Sequence, residues 1–350
     1  MSTSKANIPY RLELRVMPEN KTYYYLVKDI KVRGRKINIR KFIGQNKPSE
    51  EEILLLSEKY AYEIENKAIA KEVEINSNFL KTTYIDKETL KELETTKSVY
   101  KKYTKLLTAS ESCVYEQNFE MRYVQGTTAI EGNTLTLSQT RDLLENDILP
   151  NGKTLREINE IQNFKQVKKY RDQYAGKITL DFIKELHFLI MNNIDYHSAG
   201  NFRRIDTIAI SGCDISVTPA ELIETELKDL IDNYYISISA GNHPFEETAL
   251  FHYKFEMIHP FTDGNGRVGR EIFNYMLSKN GYPRMLFLGT ERANYIKMLH
   301  LGNEENYGEM ITKFAHLMIT QRLSILLENL KKIVIPLKKG GQLRLQDFLI

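Results

Sequence analysis

Residues 259–270 read His-Pro-Phe-Thr-Asp-Gly-Asn-Gly-Arg-Val-Gly-Arg. One short segment thus holds a proton acceptor, a hard-metal ligand, a glycine-rich turn and two guanidinium groups. Its flanks predict where it sits. Upstream, Leu250, Phe251, Phe255 and Ile258 recur at helical spacing, so a helix over 245–258 delivers His259 at its C-terminal end. Pro260 stops that helix because it has no N–H to donate. Downstream, Val268, Ile272, Phe273, Met276 and Leu277 form a second stripe over 265–280, which makes Asp263-Gly264-Asn265-Gly266 the turn that opens a helix.

The same periodicity continues in both directions. It predicts helices over roughly 86–110, 112–131, 136–147, 153–175, 179–192, 219–236, 290–302 and 305–332, joined mostly by short loops. The fold class is therefore mainly α. Residues 1–50 differ: they carry 12 Lys or Arg against 4 Asp or Glu, a net +8, whereas the whole chain is +3, so the remainder carries −5. Apolar alternation over Tyr10–Met17, Tyr23–Val32 and Ile37–Ile43, punctuated by turns at Pro18–Lys21 and Arg33–Arg35, predicts a small antiparallel three-stranded sheet. Ser49 followed by Glu50, Glu51 and Glu52 predicts a helix start, the helix running to about Glu72. The expected organisation is a basic β module over 1–48, a helical connector over 49–112, a catalytic domain over 113–332 and a tail over 333–350.

Each residue type in the 259–270 segment has a chemical use. His259 can accept a proton from an attacking hydroxyl near neutral pH. Asp263 can hold Mg²⁺ through one carboxylate, with phosphates completing the shell. The amides of Gly264, Asn265 and Gly266, at a helix N-terminus, form an anion cradle. Arg267 and Arg270, three residues apart, share a helix face and can grip phosphates. Any one of these fragments is an ordinary short motif; together they describe a site for a nucleotide triphosphate.

The segment resembles the signature of the Fic family, HPFxDGNGRxxR, at every specified position. The resemblance implies a Fic-type helical bundle that transfers AMP from Mg-ATP onto a Tyr, Thr or Ser hydroxyl of a protein. In that scheme His259 is the base, Asp263 the Mg²⁺ ligand, Gly264, Asn265 and Gly266 the anion hole, and Arg267 and Arg270 the phosphate-binding residues. Family variants that phosphorylate carry Lys where this chain has Gly266, which disfavours that chemistry. Thr127-Thr128-Ala129-Ile130-Glu131-Gly132-Asn133 resembles the family's inhibitory-helix pattern, S/T-x-x-x-E-G/N, with the helix expected over about 113–133. By that resemblance Glu131 pairs with Arg270 and excludes ATP or misdirects it.

Two further stretches follow the family order. Ile205–Ile210 and Ile215–Val217 flank a turn at Ser211–Asp214 and resemble the β-hairpin flap that docks the target by strand addition. Its docking residues are expected to be Ile208, Ile210, Ser211, Gly212 and Cys213. In 291–303, Tyr295 and Asn303 are the expected adenine contacts by resemblance, although Tyr295 and Leu299 also suit a core stripe.

Composition adds bounds. A hydrophobic fraction of 42% and a charged fraction of 27% describe an ordinary globular chain of about two domains. No apolar run approaches a membrane span and no signal-peptide pattern opens the chain. Two cysteines without metal spacing suit a reducing compartment, so a cytoplasmic location is expected. A protein substrate is the expected partner, and self-modification and homo-oligomerisation are compatible with the resemblance. Two other readings stay open: an enzyme that uses Glu131 to remove AMP, and a regulator that binds nucleic acid through basic, tyrosine-rich residues 1–48.

Overall fold

The computed structural model describes residues 10–206 and 217–334. Two compact units arise from them. One takes the chain up to Leu80, Leu90–Thr108 and the residues from Arg322 onward; the other takes Lys81–Thr89 and Ala109–Gln321.

In the first unit, strands β1 (Arg11–Val16), β2 (Thr22–Val32) and β3 (Arg35–Gly44) form an antiparallel sheet in that order. Arg33 and Gly34 make the hairpin turn with φ of 47° and 82°, the left-handed pair that matches strand twist. Period-two alternation sends Leu12, Leu26, Ile30, Ile37 and Ile39 to one face, where helix α1 (Glu50–Ser77) packs Ile53, Ala61, Ile64 and Ala68 against it. On the sheet, Glu13 sits among Arg11, Arg15 and Arg40, so part of the module's basic excess is neutralised locally. Helix α1 starts with a capping box between Ser49 and Glu52. It runs five residues past the expected Glu72, because no glycine or proline stops it there.

Helix α2 (Lys87–Leu106) leads into the second unit, an α bundle. Its helices are α3 (Ala109–Ile130), α4 (Leu137–Asn146), α5 (Leu155–Gln173), α6 (Leu180–Met191), α7 (Ile223–Ser239), α8 (Pro244–Ile258), α9 (Asn265–Lys279), α10 (Arg292–Asn303) and α11 (Tyr307–Val334) as far as Gln321. The helix expected from 219 instead opens with a short 3₁₀ turn over Ala220–Leu222, since Pro219 pre-sets a tight bend. Thr136 and Thr154 each close a capping box, at the starts of α4 and α5.

Helix α9 is the axis of the bundle, packed by α8, α6 and α3. Val268, Ile272, Phe273 and Met276 meet a core that includes Phe245, Phe251 and Phe255 of α8. A buried ionic network fixes α3 beside it. Glu120 of α3 accepts from Arg171 of α5 at 2.9 Å and from Arg284 at 2.7 Å, and Arg171 also reaches Glu271 of α9 at 2.9 Å. Burial alone would raise the Glu120 carboxyl, but Arg284 and Arg171 hold it at about 2. Removing one partner of such a network strands a buried charge and costs about 3–5 kcal/mol.

The last turns of α3 also approach the 287–289 segment closely. A Cβ on Gly126 would lie 2.3 Å from the Phe287 carbonyl oxygen. Gly126→Ala is expected to cost about 1–3 kcal/mol in urea unfolding, the usual penalty for overpacking against backbone. An unchanged midpoint would show that the 287 segment yields freely.

Candidate functional site

A cavity of about 250 Å³ opens where the end of α3, the α8–α9 loop and α10 meet. It is lined by Glu131, His259, Asp263, Gly264, Asn265, Gly266, Arg270 and Tyr295, among others. Residues distant in sequence converge on one small volume.

His259 is the residue that ends α8, with φ 49° and ψ 61°. That left-handed conformation costs an L-residue roughly 1–2 kcal/mol, and neighbouring contacts hold it in place. The buried Arg203 guanidinium donates to the carbonyls of His259 at 2.8 Å and Ile258 at 3.3 Å, and its own amide donates to Pro260. On the ring, Nδ1 lies 3.3 Å from the Glu256 carbonyl. A carbonyl can only accept, so Nδ1 carries the proton and Nε2 keeps a free lone pair. Burial lowers the His259 pKa, which keeps the ring neutral and ready to accept a proton at neutral pH.

Asn265 pins the loop, exchanging two 2.8 Å hydrogen bonds with the Phe261 backbone. His187 supports it from below. Its Nδ1 accepts from the Gly200 amide at 2.9 Å, so Nε2–H donates to the Asp263 carbonyl at 3.0 Å while the ring stacks on Phe261. Gly264 takes φ 80°, open to glycine at little cost, and starts α9. Val268 makes the first intrahelical bond, to Gly264, so the amides of Asn265, Gly266 and Arg267 point out of the helix N-terminus. With the helix dipole they form an anion site.

Asp263 faces this site half-exposed. Its carboxylate accepts from Arg156 of α5 at 2.5 Å, from Arg267 at 3.1 Å and from the Gly264 amide at 2.6 Å. Burial opposes its charge, but Arg267, Arg156 and that amide hold it below the usual carboxylate range.

The two arginines diverge despite sharing a helix. Arg267 is buried against Glu160 and Asp263, at 3.4 and 3.1 Å. Arg270, only 1% exposed, turns toward α3. It donates through Nε to the Thr127 hydroxyl at 2.8 Å, and through Nη2 to the Thr127 carbonyl at 2.9 Å and the Glu131 carboxylate at 2.7 Å. Burial would raise the Glu131 carboxyl, yet Arg270 holds it low; the same pairing raises Arg270 above the ordinary arginine range. Helix α3 ends at Ile130, so Glu131 stands in the turn just beyond, where Gly132 adopts φ 99°. Gly266 permits this approach, since a Cβ there would lie 2.5 Å from the Glu131 carboxylate.

Tyr295 is buried between cavity and core, its ring 5.7 Å from the Arg270 guanidinium and its hydroxyl 2.8 Å from His252 Nε2. Asn303 lies elsewhere. Eight residues farther along α10, it meets the Tyr253 hydroxyl at 3.1 Å at the helix end and does not line the cavity. The expected flap residues Ile208, Ile210, Ser211, Gly212 and Cys213 lie outside the described residues.

Three polar lining residues were not singled out from sequence: Glu256, Thr262 and Arg292. Arg292 donates to the Ile130 carbonyl at 2.8 Å and so closes the last turn of α3. Glu256 sits three residues before His259, hence on the same face of α8, a spacing that marks it as a neighbour. Burial pushes its carboxyl up to about 7, with Arg270 opposing and Glu131 adding.

Residues 177–277 match the Fic/DOC family. The chain is 36% identical over 186 residues to protein adenylyltransferase fic-1 of Caenorhabditis elegans, an alignment covering 52% of this chain and 36% of that protein. It is 33% identical over 210 residues to protein adenylyltransferase Fic of Drosophila willistoni, covering 56% and 41%. The chain thus spans well under half the length of these relatives. Among solved structures, a Fic domain containing signaling protein from Bacteroides thetaiotaomicron superposes with TM-score 0.60 at 25% identity, over 69% of this chain and 99% of that one. Fic-1 from C. elegans gives TM-score 0.58 at 25% identity, over 78% and 83%.

The Glu256 environment makes a stability prediction. Its folded pKa of about 7 exceeds the unfolded 4.5, so the fold binds this proton more tightly. The associated stability is complete below pH 4.5 and is lost as pH rises toward 7. Glu256→Gln, which cannot ionise, is expected to match wild type in urea unfolding near pH 4.5 and to exceed it at pH 8 by roughly 3 kcal/mol at most. Parallel pH profiles would contradict a buried, neutral Glu256. Signature, geometry and relatives agree that the stretch over residues 177–277 is similar to the Fic/DOC family.

Proposed function

We propose that the chain is an auto-inhibited protein adenylyltransferase, transferring AMP from Mg-ATP to a Tyr, Thr or Ser hydroxyl of a protein, itself included. One observation carries the reading. Glu131 occupies Arg270 at 2.7 Å inside the cavity that also holds His259, Asp263 and the open N-terminus of α9. A carboxylate there stands in for a phosphate oxygen, because both are anions suited to the guanidinium fork. The names of the matched relatives, protein adenylyltransferases, support the same chemistry.

In this reading the α9 amides hold the α- and β-phosphates, and Arg270 takes the γ-phosphate once Glu131 withdraws. The target hydroxyl gives its proton to His259 Nε2 as its oxygen bonds to the α-phosphorus. The bond from that phosphorus to the bridging oxygen breaks, and pyrophosphate leaves. Asp263 is the residue that would hold Mg²⁺. Among the described residues no cluster of three or more His, Cys, Asp or Glu could hold a metal. A single, partly exposed carboxylate suits a cation that keeps phosphate oxygens and water as its other ligands. The ion would neutralise phosphate charge. Arg156 and Arg267 must loosen their hold on Asp263 for this to happen.

No helix among the described residues is long and apolar enough to cross a membrane. We infer a protein target, for which the stretch resembling a flap would be the docking segment.

The test is label transfer with Mg²⁺ and ATP labelled at either the α or the γ position. Glu131→Gly is expected to place α-label, and no γ-label, on protein at least about tenfold faster than wild type, as release of an inhibitory pairing worth more than about 1.4 kcal/mol requires. Adding His259→Ala is expected to cut this by roughly 10²–10⁴, the usual contribution of a general base. Transfer of γ-label would assign phosphorylation instead, and α-label undiminished by His259→Ala would remove His259 as base.

A further inference from the structure

Glu256 has no part in the mechanism above, yet it faces the same cavity. It is 7% exposed, and its Oε1 has no hydrogen-bond partner. That oxygen lies against Gly269 of α9, where a Cβ would meet it at 2.2 Å, so the glycine keeps room for the carboxyl. The charged and titratable groups around it come from every neighbouring element. Glu131 follows α3, Arg270 belongs to α9 and Tyr295 to α10; His252 and His259 flank it on α8. His252 Nδ1 is 3.9 Å from Oε1, and its Nε2 lies 2.8 Å from the Tyr295 hydroxyl. Burial and Arg270 hold His252 neutral, with a pKa of about 3, so it offers Glu256 no positive charge.

A buried carboxyl with an unpartnered oxygen, lining a site for a polyanion, has two physical options. Ionised, it adds a second negative charge beside Glu131, or beside the phosphates that replace Glu131. Neutral, it offers an O–H donor, and a donor is what phosphate oxygens take. We propose, resting on the nucleotide-transfer reading, that Glu256 is a nucleotide-binding residue that acts as a neutral acid, its O–H donating to an oxygen of the bound triphosphate beside Arg270 and its ionised form repelling that ligand. Arrival of the triphosphate brings more negative charge than departure of Glu131 removes. Nucleotide binding is therefore linked to proton uptake on Glu256, and a fully neutral site is worth most at the acid end of the working range.

The experiment is calorimetry of Mg-ATP binding to Glu131→Gly and to Glu131→Gly/Glu256→Gln from pH 6 to 8.5, in two buffers of different ionisation enthalpy. Glutamine keeps the shape and an N–H donor but cannot ionise, and titration of the nucleotide itself is common to both proteins. Between pH 6 and 8 the affinity of Glu131→Gly is expected to fall roughly tenfold relative to the double variant, as a carboxyl titrating near pH 7 requires. Proton uptake on binding at pH 8 is expected in Glu131→Gly and not in the double variant. The Glu131→Gly titration stands alone should the glutamine variant fold poorly. Binding by both proteins with the same pH profile and no proton uptake would overturn the role of Glu256 and leave the nucleotide reading standing. Absence of Mg-ATP binding at every pH would overturn the nucleotide reading and this inference with it.

Discussion

Arg270 is a full positive charge with 1% of its surface exposed, at the centre of a helical bundle. A guanidinium does not deprotonate to escape such a site, so something must answer its charge. In this structure the answer is Glu131 at 2.7 Å, backed by the hydroxyl and carbonyl of Thr127. Breaking a buried pair without replacement costs about 3–5 kcal/mol, so Glu131 leaves readily only when another anion arrives. The same requirement that keeps Arg270 paired would, under the proposed function, make it a receptor for a phosphate.

Much of the bundle holds that pair in place. The Glu120–Arg171–Glu271 network fixes α3 against α9, and Arg292 closes the last turn of α3 just before Glu131. On the other side, Arg203, Asn265 and His187 hold the loop that carries His259 and Asp263. Each contact converts a long-range packing relation into the position of one side chain of the cavity. The Glu131 carboxylate and the N-terminus of α9 are separated by little more than the missing side chain of Gly266.

The helices and the 259–270 loop were legible because their signals are local. Apolar periodicity sets α8 and α9, and chemistry spread over one short segment stays together however the chain packs. Glu131 was legible only through the resemblance of its surrounding pattern, since a lone glutamate after a helix carries no signal of its own. What sequence could not supply was direction. Arg267 and Arg270 share a helix face by spacing, yet one turns to Glu160 and Asp263 and the other to α3, as the packed neighbours dictate. Asn303 falls at the end of α10, where Tyr253 claims it. Glu256, Arg156 and Arg292 acquire meaning only from contacts across the bundle.

Under the proposed function, Glu131 and a nucleotide phosphate compete for one guanidinium. The most direct measurement of that competition is the dissociation constant of Mg-ATP for wild type and for Glu131→Gly at one pH and ionic strength. The account predicts that the variant binds at least about tenfold more tightly, the equivalent of about 1.4 kcal/mol. Equal affinities would contradict it, because Arg270 would then be answering the phosphate and the carboxylate without conflict.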